Sequence, residues 1–99
     1  MRVVVTAAAE ADLVGIGRYI ARDNWDRAVT VVEALLERCG SLADLPNRYP
    51  LVPRYEQWGI RRCLHGSYLI FYRVRSEQVE IEHILHGARD YESLLFSVP

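Results

Sequence analysis

The chain contains no lysine, so all twelve of its cationic side chains are arginine. Codon bias accounts for such a composition, and so does a need for arginine's planar fork, which suits carboxylate and phosphate partners. Cysteine is scarce too: Cys39 and Cys63 lie far apart and form no C-x-x-C pattern. A disulfide framework and a zinc site are therefore not expected, and a reducing cytoplasmic setting fits. No apolar run approaches the roughly 18 residues needed to span a bilayer, so no membrane partner is expected. The opening Met1 to Ala9 resembles a signal peptide only superficially, because Glu10 and Asp12 interrupt it before an apolar region forms. Charge of one sign is not in excess: the net charge is -1 and the pI about 6.3. With no overall positive field, direct nucleic-acid binding is not expected. A Gly-rich phosphate loop, a nucleophile elbow and a paired-carboxylate motif are all missing, which argues against nucleotide-dependent and serine-hydrolase chemistry. There is no internal repeat or low-complexity stretch.

What the chain does have is a composition that folds. Its 99 residues are 51% hydrophobic and 25% charged, which predicts a single domain over residues 1–99. Val3 to Val5 read as a short strand, and Thr6 is placed to cap the helix that follows. Ala9, Leu13, Ile16 and Ile20 fall on one face of that helix, with Asp12, Arg18 and Arg22 directed to solvent. Asp23 and Asn24 break the pattern, and Asn24 caps a second helix. Its apolar stripe is Ala28, Val31, Val32, Leu35, Cys39 and Leu42, with Arg27, Glu33, Glu37 and Arg38 largely off it. Pro46, Pro50 and Pro53 then impose an irregular loop to Gly59, anchored by Tyr55 and Trp58.

Three strands follow. Ile60 to His65 turn through Gly66-Ser67 into Tyr68 to Arg75, which turns near Ser76-Glu77 into Gln78 to Leu85. The predicted class is α+β: a short N-terminal strand, a two-helix hairpin packed on an antiparallel β-meander, and a short C-terminal helix over Ala88 to Phe96. Uninterrupted alternation from two-residue turns assigns the faces. Cys63, Tyr68, Ile70, Tyr72, Val74, Val79, Ile81, His83 and Leu85 form the apolar face that carries the helices. Arg62, Leu64, Leu69, Phe71, Arg73, Arg75, Glu80, Glu82, Ile84 and His86 form a mixed face, too polar for a second core and apolar enough to receive a partner.

Arg62, Arg73 and Arg75 with His86 could bind phosphate and supply a general acid, the minimum equipment for cutting RNA without a metal. Against this, Arg73 faces Glu80 across the hairpin, where opposite charges simply stabilise a sheet. His83 and His86 are three apart and so point to opposite faces of a strand, which rules out joint metal binding. His83, among apolar neighbours, reads as a hydrogen-bonded core residue. No cofactor is expected.

Taken in order, A-x-x-D-L-x-x-I-x-x-Y-I-A at Ala9 to Ala21, the break at Asp23-Asn24, I-R-R at Ile60 to Arg62, Y-L-I-F-Y-R-V at Tyr68 to Val74 and I-L-H-G-A-R-D at Ile84 to Asp90 resemble the RelE/ParE superfamily of toxins from type II toxin-antitoxin modules. The resemblance covers nearly the whole chain and implies the fold just described. RelE-like ribonucleases often carry arginine in the central strand, in a pattern such as R-L-V-Y, where this chain has Leu69-Ile70-Phe71-Tyr72. Leu69 cannot stabilise charge on a transferring phosphoryl group. ParE-like members, which inhibit DNA gyrase by binding it, commonly show I-F-Y-R-V and H-G-A-R-D. One departure is Trp25, where many relatives have proline.

The resemblance thus implies a cytoplasmic toxin, closest to the ParE-like branch, in a hetero-oligomer with a cognate antitoxin and directed at DNA gyrase. The expected antitoxin- or target-binding residues are Arg62, Leu69, Phe71, Arg73, Arg75, His86, Arg89, Tyr91, Leu94 and Leu95. No catalytic residue is favoured; a ribosome-dependent messenger endoribonuclease would use Arg62, Arg73 and His86. A non-toxic binding module is the third reading.

Overall fold

The structure, a computed structural model, describes residues 1–87. The expected C-terminal helix and the candidate residues Arg89, Tyr91, Leu94 and Leu95 lie outside them. Strand β1 (Arg2–Val5) leads into α1 (Ala7–Ala21) and α2 (Trp25–Ser41). A loop containing a single 3-10 turn (Glu56–Trp58) connects to β2 (Arg61–His65), β3 (Tyr68–Arg75) and β4 (Gln78–His86). The four strands form one sheet in the order β1-β4-β3-β2. β1 pairs with β4 in parallel and the other pairs are antiparallel.

Both helix starts follow from local chemistry. The Thr6 hydroxyl accepts from the Ala9 amide at 3.2 Å and donates to the Ile81 carbonyl at 2.7 Å, so one side chain caps α1 and ties it to β4. Asn24 Oδ1 accepts from the Arg27 amide at 3.0 Å. Between the helices, the Asp23 and Asn24 amides both donate to the Ile20 carbonyl, which makes the reversal tight.

The main core lies between the helical hairpin and the sheet. Ala9, Leu13, Leu35, Cys39 and Leu42 meet Cys63, Ile70, Tyr72, Val79, Ile81 and Ile84. At burial worth roughly 1.5–3 kcal/mol for a large apolar side chain, this cluster dominates the favourable side of folding. Tyr72 reaches through it to donate from its hydroxyl to the Pro46 carbonyl at 2.6 Å, satisfying a buried polar group.

Two expectations about the sheet need correction. β4 carries a β-bulge: Tyr72 pairs with Ile81 but Phe71 pairs with His83, leaving Glu82 without a partner. The extra residue reverses the alternation beyond it. Ile84 therefore enters the main core, while Leu85 turns to the opposite face. That opposite face also holds a second small core, contrary to the mixed-face reading. Phe71 and Leu85 are buried there with Val52 and Ile60, flanked by Tyr55 and Leu69. Hydrogen bonds from Val52 to Ile60 and from Arg62 to Pro50 fasten the loop beside β2. Arg61 reinforces it by donating to the carbonyls of Asn47 and Tyr49, at 3.1 and 2.7 Å.

Candidate protein-binding surface

The hairpin of β3 and β4 was expected to present arginines for docking or catalysis. Its outer end instead holds a balanced ion network. Arg73 Nε lies 3.1 Å from Glu82 Oε1 and 3.8 Å from Glu80 Oε1, and Arg75 Nε lies 3.4 Å from the same Glu80 oxygen. Gln78 adds a 3.3 Å hydrogen bond to Glu80. Arg73 does pair with Glu80, as its cross-strand position predicts, and the bulge brings Glu82 in as the closer partner. A guanidinium engaged in this way offers little field to a phosphate.

The three residues of the ribonuclease alternative do not converge. Arg62 pairs with Phe71, and both share a face with Arg73 by alternation along β2 and β3. His86 pairs with Tyr68, on the face of Ile70, and its ring meets Tyr68 edge-on at 5.7 Å between centroids. The bulge has therefore carried His86 to the helix side of the sheet. A general acid on one face cannot serve arginines on the other, because proton transfer requires hydrogen-bond reach.

Of the remaining expected docking residues, Phe71 is fully buried and shapes the surface only from beneath. Leu69 is half-buried at the edge of the second core. Arg62 is half-buried, and Arg75 is exposed at the hairpin tip. Beside them Leu64, 64% exposed, supplies apolar surface on β2.

A larger apolar surface lies where sequence reading placed none, on the outer side of the helical hairpin. Trp25 is 71% exposed, and Val14, Val29 and Leu36 are each more than 40% exposed. Two adjoining grooves share Gly17 and Val32. One, of about 340 Å³, runs past Trp25, Ala28 and Val29; the other, of about 460 Å³, runs past Val5, Leu13, Val14 and Leu36. Gly17 lies at the helix crossing, where a Cβ would meet Val32 Cγ2 at 3.4 Å, an ordinary contact. The signal was present as apolar residues just off both helical stripes, too few in each helix to stand out alone.

His83 was expected in the core with a hydrogen bond. It has the bond, at 2.8 Å from Nδ1 to Asp12 Oδ2, but its side chain keeps a quarter of its exposure. The same Asp12 oxygen accepts from the Ile84 amide at 2.9 Å. Asp12, expected in solvent, thus pins α1 to the end of β4. Among the described residues no group of three or more His, Cys, Asp or Glu side chains is placed to hold a metal. No helix among them is long and apolar enough to cross a membrane.

Comparison with known proteins agrees with this architecture. A family model described as the ParE toxin of the type II toxin-antitoxin system parDE matches residues 3–91. A chain from a solved structure described as the chromosomal ParDE TA system from P. aeruginosa superposes with a TM-score of 0.72 at 22% identity, covering 87% of this chain and 95% of that one. No curated protein sequence gives a significant match.

Proposed function

The chain belongs to the ParE toxin family of type II toxin-antitoxin systems, and from that premise we propose that it acts by binding rather than by cleavage, with DNA gyrase as its target and a cognate antitoxin as its silencer. The observation that carries binding over cleavage is the β4 bulge. It leaves Arg62 and Arg73 on one face and His86 on the other, and it delivers Glu82 to neutralise Arg73. Leu69 adds an uncharged side chain where a phosphoryl-stabilising arginine would be needed.

The solved ParDE structure, named for a toxin-antitoxin system, supports an antitoxin partner here as well. The surface that best suits it is the outer groove of the helical hairpin. An amphipathic helix fits such a groove by placing anchors at helical spacing into pockets on either side of a glycine. Trp25, Val29, Val14 and Leu36 would bury against it, and aromatic anchors commonly dominate such interfaces. The mixed face around Leu64, Leu69 and Arg75 remains for the target, so target and antitoxin contacts fall on opposite sides of the sheet.

Inducing the protein in bacteria without its antitoxin, then comparing plasmid supercoiling with messenger integrity, tests this reading. Loss of negative supercoiling with intact transcripts supports gyrase inhibition. Rapid transcript cleavage would instead favour the endoribonuclease, and unaffected growth the inert module.

A further inference from the structure

A second cluster of cations lies on the helix side of the sheet, remote in character from the ion-paired hairpin. Arg38, near the end of α2, donates from Nε to His65 Nδ1 at 3.3 Å and from Nη1 to the Tyr49 hydroxyl at 3.1 Å. The guanidinium carbon of Arg48 sits 4.9 Å above the ring of the same tyrosine. Tyr49 therefore holds both arginines, one through its oxygen and one through its π face. A cavity of about 420 Å³ opens beside them, lined by Ala34, Glu37, Arg38, Ser41, Arg48 and His65. Ser41 Oγ donates to the Arg38 carbonyl at 2.6 Å, which closes that wall.

Charge in this cavity is unbalanced. Among the described residues no carboxylate forms an ion pair with Arg38 or Arg48, whereas Arg73 and Arg75 both have one. Among the described residues Glu37 is the only acid on the lining, against two guanidinium groups. A guanidinium can only donate, so His65 Nδ1 is the acceptor and the imidazole carries its proton on Nε2. The lining thus contains two cations and a neutral N–H donor.

We propose that this cavity binds a phosphate monoester of small-molecule size, its dianionic group held between Arg38 and Arg48 with His65 as a further donor. A carboxylate has two oxygens in one plane and is saturated by a single guanidinium fork. Two separate guanidiniums and an imidazole N–H match an ion with three terminal oxygens and nearly two charges. The volume exceeds that of a free phosphate and lies within the range of small-ligand sites. A nucleic-acid backbone is a poorer fit, because the arginines of β3 are already paired and form no continuing basic track.

The proposal is independent of the gyrase reading and is tested without it. Arginine side-chain and histidine ring signals are followed by NMR at about pH 7.5, above the second phosphate pKa of about 6. The added probes are inorganic phosphate, ribose 5-phosphate, and acetate or chloride at matched ionic strength. The expected result is a saturable shift of the Arg38 Nε–H and His65 ring signals with both phosphates and not with acetate or chloride. Arg48→Gln, at an exposed position, is expected to weaken binding about tenfold, the scale of one charged hydrogen bond, while its amide spectrum shows an intact fold. Non-saturable shifts, equal response to acetate, or undiminished binding by folded Arg48→Gln would overturn the proposal. Binding of inorganic phosphate without ribose 5-phosphate would overturn the monoester assignment.

Discussion

Asp12 sits on the flank of α1, where its Oδ2 accepts from the Ile84 amide at 2.9 Å and meets His83 Nδ1 at 2.8 Å. Replacing it with alanine strips the partner from both groups while they remain partly shielded. Asp12→Ala is expected to cost about 1–3 kcal/mol in urea unfolding, with His83→Ala showing less than additive loss in the double variant because the two share one contact. A second residue-scale prediction concerns alkaline pH. Burial, and then the neighbouring Cys63, raise the Cys39 thiol from 9.0 to about 11. Above pH 9 the unfolded chain loses this proton while the folded chain keeps it. Stability is thus undiminished below about pH 9 and falls as pH rises toward about 11. A Cys39→Val variant, followed by denaturant midpoint against pH, is expected to give a flatter profile over that window. Tyr72, held up to about 12 mainly by burial, adds a similar loss at higher pH. Thr6 and Asn24 were legible in the sequence because a cap bonds three residues away. Asp12 was not, because its partners lie 71 and 72 positions along the chain. Arg38 was missed for the same reason, with His65 27 residues distant.

At the scale of elements, both helices, all four strands and both tight turns followed from periodicity and turn chemistry. Two-residue turns hold at His65↔Tyr68 and at Arg75↔Gln78. Alternation failed only within β4, whose nine residues face eight in β3. The surplus is absorbed at Glu82, which a polar-apolar pattern cannot distinguish from an ordinary outward residue. The parallel docking of β1 on β4 was also beyond local pattern, since it depends on where the helical hairpin returns the chain. The β3–β4 turn carries strain that can be tested. Ser76 and Glu77 have φ of 53° and 58°, a left-handed conformation at two non-glycine residues. Glu77→Gly is expected to raise stability by about 0.5–1 kcal/mol, as relief of the left-handed backbone exceeds the added flexibility of the unfolded chain. Thermal unfolding measures it, and a lower Tm would mean that the Glu77 side chain contributes a stabilising contact.

Across the whole molecule, the bulge and the helical hairpin divide the surface into unlike parts. The open sheet face is closed over by Val52, Ile60 and Tyr55 at one end and neutralised by Glu80 and Glu82 at the other. The outer hairpin groove remains apolar and exposed around Trp25 and Val29. Trp25→Ser and Val29→Ser are therefore expected to leave unfolding stability within about 0.5 kcal/mol of the parent, as for exposed positions generally. The same changes are expected to weaken antitoxin binding in calorimetry by tenfold or more, the scale of an interface hot spot of about 2 kcal/mol. Equal antitoxin affinity would move the docking site elsewhere. The central claim, that this ParE-family toxin works by binding, is tested most directly by purified protein in a gyrase supercoiling assay run beside a ribosome-programmed messenger cleavage assay. The account predicts dose-dependent loss of supercoiling with the messenger left whole. Cleaved messenger with supercoiling unimpaired would contradict it.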